Sequence, residues 1–573
     1  MIKKNELILK DDGVWLHFAE PHRIIVVDQR KDVLPALREI EDLIEKRGWH
    51  AAGFLSYESA PAFDKAHLTK SKTGFPFLWF GLYPEPSLVP LPRPNSPRPA
   101  LTWSPTVDRG TYNAAIDRIR EHIAQGRTYQ VNYTMRLKAT FDAEPWNFFL
   151  HLAQSQNNHA AYIDTGNYVI CSASPELFFQ LDGETLTCRP MKGTTRRGRT
   201  TREDQDQARW LKDSEKNCAE NVMIVDMIRN DLGRIAITGS VRVPELFTVE
   251  KYPTLWQMTS TVQSETSASV THILSALFPC ASITGAPKVS TMRIISELET
   301  TPRNIYTGSI GYMAPNRKAK FNVAIRTALI DRETQTAEYG VGGGIVWDST
   351  SADEYDEALL KARVLTDWPP EFSLLETLLW MPEEGFFLRE KHIARLLDSA
   401  DYFDISISKA AFEAFFDKLS TTFNSPQRIR ILLDSRGNIT SEHMAFHAPD
   451  ALLRVHLAGK PINSNDVFLF HKTTHRAVYE SAKKDFPDHD DVLLYNEHGE
   501  LTEFTIGNLV VELEGKFYTP PVTCGLLAGI FRESLLEAGR ISERVIHLNE
   551  LKDCTRLFLV NSVRKWHEAE LVK

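Results

Sequence analysis

The chain is poor in cysteine and has no long apolar run. Its six cysteines are scattered over 573 residues and none forms a C-x-x-C pair, which disfavours a disulfide framework and a zinc or redox motif. No stretch of 18 apolar residues occurs, and the start, MIKKNELILKDDGVW, reaches acidic residues before any apolar run. We therefore expect a cytoplasmic protein without a signal peptide or a membrane-spanning helix.

The sequence also lacks a basic block. Its 66 lysines and arginines against 75 acidic residues give a net charge of −9, spread along the length, which disfavours nucleic acid or a membrane surface as a partner. The motifs G-x-G-x-x-G, the Walker loop and H-E-x-x-H are missing, so dinucleotide, P-loop and zincin functions have no motif support. Local basic pockets for small anions remain compatible with this composition.

Prolines mark the domain boundaries. Residues 83–105 hold 8 of the 30 prolines and predict an extended connector, and a second break, TDWPPE, begins at Thr366. We predict an N-terminal part with this connector (1–104), a second domain (105–367) and a third (372–573). Helix-like and strand-like segments alternate throughout, which predicts a mixed α/β and α+β multidomain protein.

A lysine and a glutamate are predicted to share one end of a β-hairpin. Residues 168–194 read as two strand-like runs joined by Asp182-Gly183, a strong hairpin signal. A turn centred there pairs Lys192 with a residue near Ala173 and leaves Glu176 roughly 10 Å along the partner strand. The two side chains are either an acid and a nucleophile in one cleft or an ordinary surface ion pair.

Three further carboxylates are candidates for a metal site. Glu220 lies near the start of an apolar predicted helix, and Glu354 and Glu357 are spaced i, i+3 on another, so that they share a helical face. Three carboxylates suit Mg²⁺, which prefers hard oxygen ligands. Solvated helix faces are the alternative, and the spacing does not decide between them.

An arginine and a run of glycines suggest a carboxylate-binding site. The segment KFNVAIRTALI alternates as a strand and places Arg326 on the face opposite Phe321 and Val323, and three glycines, Gly342, Gly343 and Gly344, follow another strand. Exposed backbone N–H groups and a guanidinium both bind carboxylates. Three consecutive glycines also occur in ordinary turns and bulges.

Several strings resemble one known family. CSASPELFFQL, RPMKGTTRRG, AENVMIVDMIRNDLGR, FPCASITGAPKVSTMRIISELE, GSIGYM, AIRTALI and GVGGGIVWDSTSADEYDEALLKA resemble the chorismate-utilising enzymes, in particular the aminodeoxychorismate synthase component I subfamily, over about residues 105–365. The resemblance implies a chorismate-binding β-sandwich domain with helices. It implies these roles: Lys192 as the nucleophile that attacks the chorismate ring, Glu176 as general acid/base, Glu220, Glu354 and Glu357 as Mg²⁺ ligands, and Thr194, Tyr312, Arg326, Gly342, Gly343, Gly344 and Lys361 as substrate contacts.

Two residues favour this subfamily over its relatives. Anthranilate synthases typically carry alanine where Lys192 stands, and Met258 occupies the place of a histidine that they use in pyruvate elimination. The chain has no G-x-C-x-G glutaminase elbow, so the resemblance implies a separate glutamine amidotransferase that supplies ammonia. An anthranilate synthase component I-like enzyme and a non-catalytic chorismate sensor or scaffold are the alternatives.

The C-terminal part holds a second set of candidates. The segment DVFLFHK predicts a strand that ends at Lys472, Glu503 follows the second of two strands joined through residues 496–499, and Ile530 opens a helix. Helix N-termini bind phosphate groups. A lysine at a strand end and an arginine on a helix, such as Arg395, are also ordinary surface residues.

This second set resembles the fold-type IV pyridoxal-phosphate enzymes, the group of branched-chain aminotransferases and aminodeoxychorismate lyases, over about residues 372–573. The resemblance implies pyridoxal 5'-phosphate as cofactor, bound by Lys472 through a Schiff base, by Glu503 at the pyridine nitrogen, and by Arg395, Ile506 and Ile530 at the phosphate, with Thr377 in the active site. Phe531 stands where branched-chain aminotransferases tend to carry a threonine, which favours a lyase over an aminotransferase.

Together the two resemblances imply one route. Chorismate and ammonia would give 4-amino-4-deoxychorismate, and the second domain would remove pyruvate from it to leave 4-aminobenzoate, a folate precursor. A branched-chain or D-amino-acid aminotransferase is the alternative for the second domain. A homodimer through this domain is a further expectation.

Overall fold

The computed structural model describes residues 2–71, 74–155, 159–366, 370–447 and 451–572. The chain forms two compact units, one of Met1–Arg196 with Ala208–Pro369 and one of Arg197–Gln207 with Pro370–Lys573. Residues 367–369, where the sequence predicts the second boundary, lie outside the described residues. None of the helices in the described ranges combines the length and apolar character needed to cross a bilayer.

The first unit contains twenty strands and most of the helices. The strands are β1 Leu7–Asp11, β2 Val14–Phe18, β3 Arg23–Val27, β4 His50–Leu55, β5 Leu78–Tyr83, β6 Ser87–Val89, β7 Ser104–Pro105, β8 Gln130–Thr140, β9 His159–Asp164, β10 Tyr168–Ser174, β11 Leu177–Asp182, β12 Thr185–Arg189, β13 Met191–Arg196, β14 Arg242–Lys251, β15 Leu255–Glu265, β16 Gly285–Ala286, β17 Ser309–Ala314, β18 Lys318–Val323, β19 Thr327–Asp331 and β20 Thr336–Ile345. The helices are α1 Val33–Arg47, α2 Ala60–Phe63, α3 Arg109–Ala124, α4 Pro145–Ser155, α5 Thr201–Asp213, which begins within the second unit's segment, α6 Glu215–Gly233, α7 Val270–Leu277, α8 Lys288–Leu298 and α9 Ser351–Ala362.

Two ten-stranded sheets pack face to face in this unit. One has the order β16-β8-β20-β19-β10-β9-β1-β2-β6, with β7 on β8, and the other β13-β15-β12-β11-β18-β17-β4-β5-β3, with β14 on β15. Buried residues of both sheets, among them Phe54, Trp79, Ile163 and Ile170, form one shared core. The predicted β-sandwich with helices is confirmed. The N-terminal strands belong to it, because β1 pairs with β9 and β4 with β17.

Local sequence signals explain the helices. In α3, Ile116 and Ile119 are buried as the 3.6-residue period predicts, the Asp108 carboxylate accepts a hydrogen bond from the N–H of Thr111 at 2.9 Å, and Gly126 follows the helix with φ of 68°. The predicted helix around Glu220 is α6, and the helix that carries the acidic pair is α9.

The predicted hairpin is shorter than the sequence suggested. The turn lies at Asp182-Gly183 as predicted, with Asp182 opposite Thr185, but only β11 and β12 pair across it. Strand β10 pairs with β9 and β19 in the other sheet, and β13 pairs with β15, so Lys192 does not lie opposite Ala173. Pro175 and Pro190 interrupt the two runs, because proline has no N–H for a ladder.

The second unit holds a smaller pair of sheets. Its strands are β21 Leu374–Met381, β22 Gly385–Phe386, β23 Gln427–Leu433, β24 Ile439–Ala445, β25 Leu453–Leu457, β26 Asp491–Tyr495, β27 Leu501–Phe504, β28 Asn508–Leu513, β29 Lys516–Thr519, β30 Ser542–Glu543, β31 Arg556–Asn561 and β32 Lys565–Leu571, and its helices are α10 Arg389–Tyr402, α11 Lys409–Ser420, α12 Ala477–Lys484 and α13 Ile530–Glu537. The sheet orders are β22-β21-β23-β24 and β27-β26-β25-β32-β31-β28-β29-β30. Each sheet has its own apolar core.

The strand predicted to end at Lys472 is absent. Residues Val467–Leu469 form a short 3₁₀ helix. The Asp466 carboxylate caps it by accepting a hydrogen bond from the N–H of Phe468 at 2.9 Å. Lys472 lies in the irregular segment that follows, where its carbonyl accepts a hydrogen bond from the N–H of Leu375 at 2.9 Å. The alternating apolar residues therefore do not form a strand, because the Asp466 side chain caps a helical turn at this place.

Candidate active sites

The first site is built around Lys192 on β13 and Glu176 in the short link between β10 and β11. Glu176 is buried, and its carboxyl accepts a hydrogen bond from the Ser282 hydroxyl at 2.6 Å. Burial raises the pKa of Glu176 to about 7, although Ser282 and the charge of Lys192 act in the opposite direction. This carboxyl is therefore able to hold a proton at neutral pH and to give it to a leaving group.

Burial lowers the pKa of the Lys192 amine, which favours the neutral, nucleophilic form. The charges of Glu220 and Glu176 oppose this change, and the charge of Lys361 adds to it.

The glycine strand lies against this pair of residues. Gly342, Gly343 and Gly344 lie within β20, paired with Thr134, Tyr133 and Asn132 of β8, and not after the strand as expected. A β-carbon built on Gly344 would lie 3.1 Å from Lys192 Nζ and 2.6 Å from the amide nitrogen of Gln130. Glycine at 344 therefore keeps open the space beside the amine.

Gln130 is a candidate that the sequence analysis missed. Its side chain is buried on β8, and among the described residues neither its amide nitrogen nor its amide oxygen has a hydrogen-bond partner. Buried amides are nearly always paired, so an orphaned one beside a reactive lysine indicates a polar ligand. A single glutamine in a strand carries no signal of this in the sequence.

The structure brings Glu354 and Glu357 together but does not assemble a three-carboxylate cluster. A β-carbon on Gly343 would lie 3.0 Å from Glu354 Oε2 and 4.0 Å from Glu357 Oε1. Glu220, on α6, is linked to the site through its charge on Lys192. Within the described residues, no group of three or more His, Cys, Asp or Glu side chains is placed to hold a metal ion.

A lysine already neutralises part of this acidic pair. Lys361 Nζ lies 2.8 Å from Glu357 Oε1 and donates to the Gly342 carbonyl at 3.0 Å, and its charge lowers the pKa of Glu357. Burial, aided by the charge of Glu357, raises the pKa of Glu354. Two neighbouring carboxylates of this kind fit a divalent cation, which would relieve their repulsion.

Arg326 occupies a break between strands. The predicted continuous strand is split into β18 and β19, and Arg326 lies between them with φ of 50°, a left-handed conformation that bends the chain. Its Nη1 is buried and has no hydrogen-bond partner in the part of the chain that the structure describes, and burial lowers the pKa of its guanidinium. Such a donor suits a carboxylate ligand.

One of the expected substrate contacts, Tyr312, lies elsewhere. The Tyr312 hydroxyl donates to the Asp11 carboxylate at 2.8 Å, and the ring lines a small separate cavity with Lys10, His159 and Lys320. The assignment of Tyr312 to the Lys192 site is therefore corrected. Tyr306 is the tyrosine at the glycine strand, since its ring fills the space above Gly340.

Thr194 is exposed on β13, and its hydroxyl donates to the amide oxygen of Gln257 at 3.4 Å. A bulge between Met191 and Thr194 breaks the regular alternation of the strand, so the two-residue spacing from Lys192 does not by itself place both side chains in one site. The role of Thr194 as a substrate contact stays a prediction.

The second site is a cavity of about 370 Å³ in the second unit. All six residues predicted for this site line it, namely Thr377, Arg395, Lys472, Glu503, Ile506 and Ile530. Burial lowers the pKa of Lys472 to about 8, aided by the like charges of Arg395 and Arg476. The amine is therefore partly neutral near pH 8, as a group that condenses with a carbonyl must be.

Glu503 is buried and accepts three hydrogen bonds. Its carboxylate accepts from the Tyr479 hydroxyl at 2.8 Å, the Leu527 N–H at 3.2 Å and the Asn508 amide at 3.0 Å. Burial raises the pKa of Glu503 to about 7, against the effect of these donors and of Lys472. These three hydrogen bonds fix the orientation of the buried carboxyl group, which suits it to pair with a basic ring nitrogen.

Arg395 is anchored by an acid that the sequence analysis missed. It donates to both oxygens of Glu376, at 2.8 and 2.7 Å, and to the Ala528 carbonyl at 3.0 Å. His392 Nδ1 lies 2.7 Å from the same carboxylate. Burial alone would raise the pKa of Glu376, but the charge of Arg395 and the interactions with Arg395 and His392 lower it to about 2. Arg395 keeps free N–H groups on both Nη atoms for a ligand.

Sequence comparisons agree with this division into two sites. The model of the chorismate binding enzyme family matches residues 10–367. The chain belongs to this family. The amino-transferase class IV model matches residues 373–570, which cover the Lys472 cavity.

Individual relatives match the family part of the chain. Aminodeoxychorismate synthase component 1 of Bacillus subtilis (strain 168) is 39% identical over 273 residues, 47% of this chain and 58% of that protein. The Escherichia coli (strain K12) protein of the same name is 40% identical over 269 residues, 46% of this chain and 58% of that protein. The chain thus spans less than two thirds of the curated relatives it matches.

A solved structure supports the fold of the family part. Anthranilate synthase component I from Streptococcus pneumoniae TIGR4 superposes with a TM-score of 0.52 at 26% identity, over 64% of this chain and 90% of that chain.

Proposed function

We propose that this chain makes 4-aminobenzoate in two steps. The first unit replaces the ring hydroxyl of chorismate with an amino group from ammonia, and the second removes pyruvate from the 4-amino-4-deoxychorismate formed. One observation carries the proposal: each unit holds a lysine with a lowered pKa together with a buried glutamate whose pKa is about 7.

In the first step Lys192 acts as the nucleophile. Its neutral amine forms a bond to a ring carbon of chorismate, the bond to the ring hydroxyl breaks, and Glu176 gives its proton to the departing oxygen, which leaves as water. Ammonia then displaces the lysine. Gln130 lies close enough to the amine to orient the incoming or leaving nitrogen.

Carboxylate binding is assigned to two sets of groups. Arg326 and the backbone of the glycine strand would receive one carboxylate of chorismate. Glu354 and Glu357, with Glu220, would hold Mg²⁺, which supplies positive charge for a substrate carboxylate. Lys361 stands beside the same acids and holds one of them ionised.

In the second step the residues of the 370 Å³ cavity would hold pyridoxal 5'-phosphate, a cofactor that supplies an electron sink for bond cleavage next to an amine. Lys472 would attach it covalently and move a proton, and Glu503 would pair with its ring nitrogen. Arg395 and the backbone N–H groups at Ile506 and Ile530 would hold its phosphate. Ile530 begins α13, directly after Gly529. The N–H groups of the first turn of this helix are suited to bind an anion. Thr377 would contact the substrate.

Ammonia would come from a glutamine amidotransferase partner, consistent with the name component 1 of the relatives. Free ammonium at high concentration should replace it. A homodimer through the second unit remains part of the proposal.

A coupled assay tests the function. The full chain is incubated with chorismate, ammonium, Mg²⁺ and pyridoxal 5'-phosphate, and products are separated by chromatography. We expect 4-aminobenzoate and pyruvate in equal amounts. Anthranilate as the main product would overturn the first step, and accumulation of aminodeoxychorismate without 4-aminobenzoate would overturn the second.

A further inference from the structure

The cavity of the second unit is more cationic than a phosphorylated cofactor requires. Among the described residues that line it are six lysines and arginines and one carboxyl group, Glu503. The basic residues are Arg395, Arg428, Arg430, Lys472, Arg476 and Arg564. Such an excess favours an occupant with several negative charges, of which a phosphate group supplies about two.

Three of the arginines already have protein partners. Arg395 pairs with Glu376, Arg430 lies 2.9 Å from Glu442, and Arg476 donates to the Thr505 carbonyl and lies over the Tyr479 ring. In the described ranges, neither Arg428 nor Arg564 has a carboxylate within 4.0 Å. Two guanidinium groups in one cavity thus lack an anion.

The fold directs both side chains to the cavity. Along β23, Ile429 and Ile431 are buried in the core, so Arg428 and Arg430 share the opposite face. Arg564 lies in the turn between β31 and β32. The Asn561 side-chain oxygen Oδ1 accepts a hydrogen bond from the N–H of Arg564 at 2.8 Å, and its side-chain nitrogen Nδ2 donates to the Ile506 carbonyl at 3.1 Å. These two bonds hold the turn beside the expected phosphate site.

We propose that Arg428 and Arg564 bind the two carboxylates of a dicarboxylate substrate and thereby set the specificity of the second unit. This inference rests on the proposed function, because aminodeoxychorismate carries a ring carboxylate and an enolpyruvyl carboxylate. A branched-chain amino acid has one carboxylate and leaves one arginine unpaired. Guanidinium groups bind carboxylates in a bidentate manner, so each carries part of the selectivity.

The test measures binding of two unreactive probes. The full chain loaded with pyridoxal 5'-phosphate is titrated with isophthalate, a dicarboxylate, and with benzoate, and dissociation constants are read from the change in cofactor absorbance. We expect the parent to bind isophthalate at least about tenfold more tightly than benzoate, the equivalent of one charge-assisted contact. Arg428→Gln and Arg564→Gln should each reduce this preference to about twofold or less.

Lys565→Gln is the matched control, because Lys565 is the exposed neighbour of Arg564 and does not line the cavity. It should keep the parental preference, and all variants should keep the parental cofactor absorbance. A parent without the preference, or arginine variants that retain it, would overturn the inference. The proposed function is judged separately, by whether the parent releases 4-aminobenzoate from supplied aminodeoxychorismate.

Discussion

Single residues in both sites owe their chemistry to burial. The carboxyls of Glu176 and Glu503 have pKa values near 7 because desolvation disfavours their charged forms, and the same effect lowers the pKa of Lys192 and Lys472. None of these residue types is unusual in the sequence. Their chemistry comes from the enclosed positions in which the fold places them.

The raised pKa of Glu176 predicts a pH dependence for the first step. Glu176 must be protonated to expel the hydroxyl, so chorismate consumption should fall as pH rises through about 7. Glu176→Gln cannot give a proton, and should lose at least about a hundredfold in rate. Its residual activity should lack the decline near pH 7. Initial rates from pH 5.5 to 9 check this, and a parental rate that is constant over that range would contradict the role.

At the scale of elements, the sequence predicted the turns and helices well and the strand partners poorly. Asp182-Gly183 and the ends of α3 depend on local residues, which a sequence shows directly. The separation of β10 from β13 depends on which sheet each strand joins, and this is decided by contacts far away in the chain. The orphaned amide of Gln130 arises from the same kind of long-range pairing, so no local pattern reveals it.

The glycine strand should not accept a side chain at 344. In Gly344→Ala the added methyl group would lie 2.6 Å from the Gln130 amide and 3.1 Å from Lys192 Nζ, and both groups must shift. We expect at least a tenfold loss of chorismate amination, since a displacement of about 1 Å costs up to a hundredfold. Steady-state kinetics of each step check this, and the lyase step should be unchanged.

Gly233→Ala is its control, because nothing lies within 4 Å of a β-carbon at that position. This variant should aminate chorismate at the parental rate. Equal rates for Gly344→Ala and Gly233→Ala would show that the space beside Lys192 is not needed.

Glu376 joins β21 to α10 through Arg395 and His392. Glu376→Gln leaves the Arg395 guanidinium without this charged partner and should reduce the free energy of unfolding by about 3 kcal/mol at pH 7. The folded pKa, about 2, lies below the ordinary 4.5, so this stabilisation is present above pH 4.5 and is lost as pH falls towards 2.

Denaturant unfolding at two pH values checks this. The difference between parent and Glu376→Gln should shrink by about 1 kcal/mol from pH 7 to pH 4. Glu442→Gln removes an exposed partner of Arg430 and should cost less than about 1 kcal/mol. If Glu376→Gln were as stable as Glu442→Gln, the stabilising role assigned to Glu376 would be wrong.

For the whole molecule, the two units carry separate cores and separate sites. From its prolines the sequence predicted three parts, whereas the structure forms two compact units, and the sequence did not reveal that Arg197–Gln207 belongs with the C-terminal unit. A short segment of ordinary composition gives no signal of the unit against which it packs. The site residues were predicted by resemblance. Of the three predicted metal ligands, the structure brings together Glu354 and Glu357 beside Gly343, and Glu220 is not part of that pair.

The separation predicts a selective response to metal removal. A chelator should silence chorismate amination, because Glu354 and Glu357 are proposed to hold Mg²⁺, and should leave conversion of supplied aminodeoxychorismate unchanged. Adding Mg²⁺ back should restore the first step. Amination that is indifferent to the chelator would refute the metal assignment.

Complementation between two variants tests the proposed pathway most directly. Lys192→Ala and Lys472→Ala are each incubated with chorismate, ammonium, Mg²⁺ and pyridoxal 5'-phosphate, and then together, and 4-aminobenzoate is measured. We expect almost none from Lys192→Ala, stranded aminodeoxychorismate from Lys472→Ala, and 4-aminobenzoate from the mixture, because each protein supplies the step that the other lacks. Parental yields of 4-aminobenzoate from either variant alone would contradict the division of the chemistry between the two lysines.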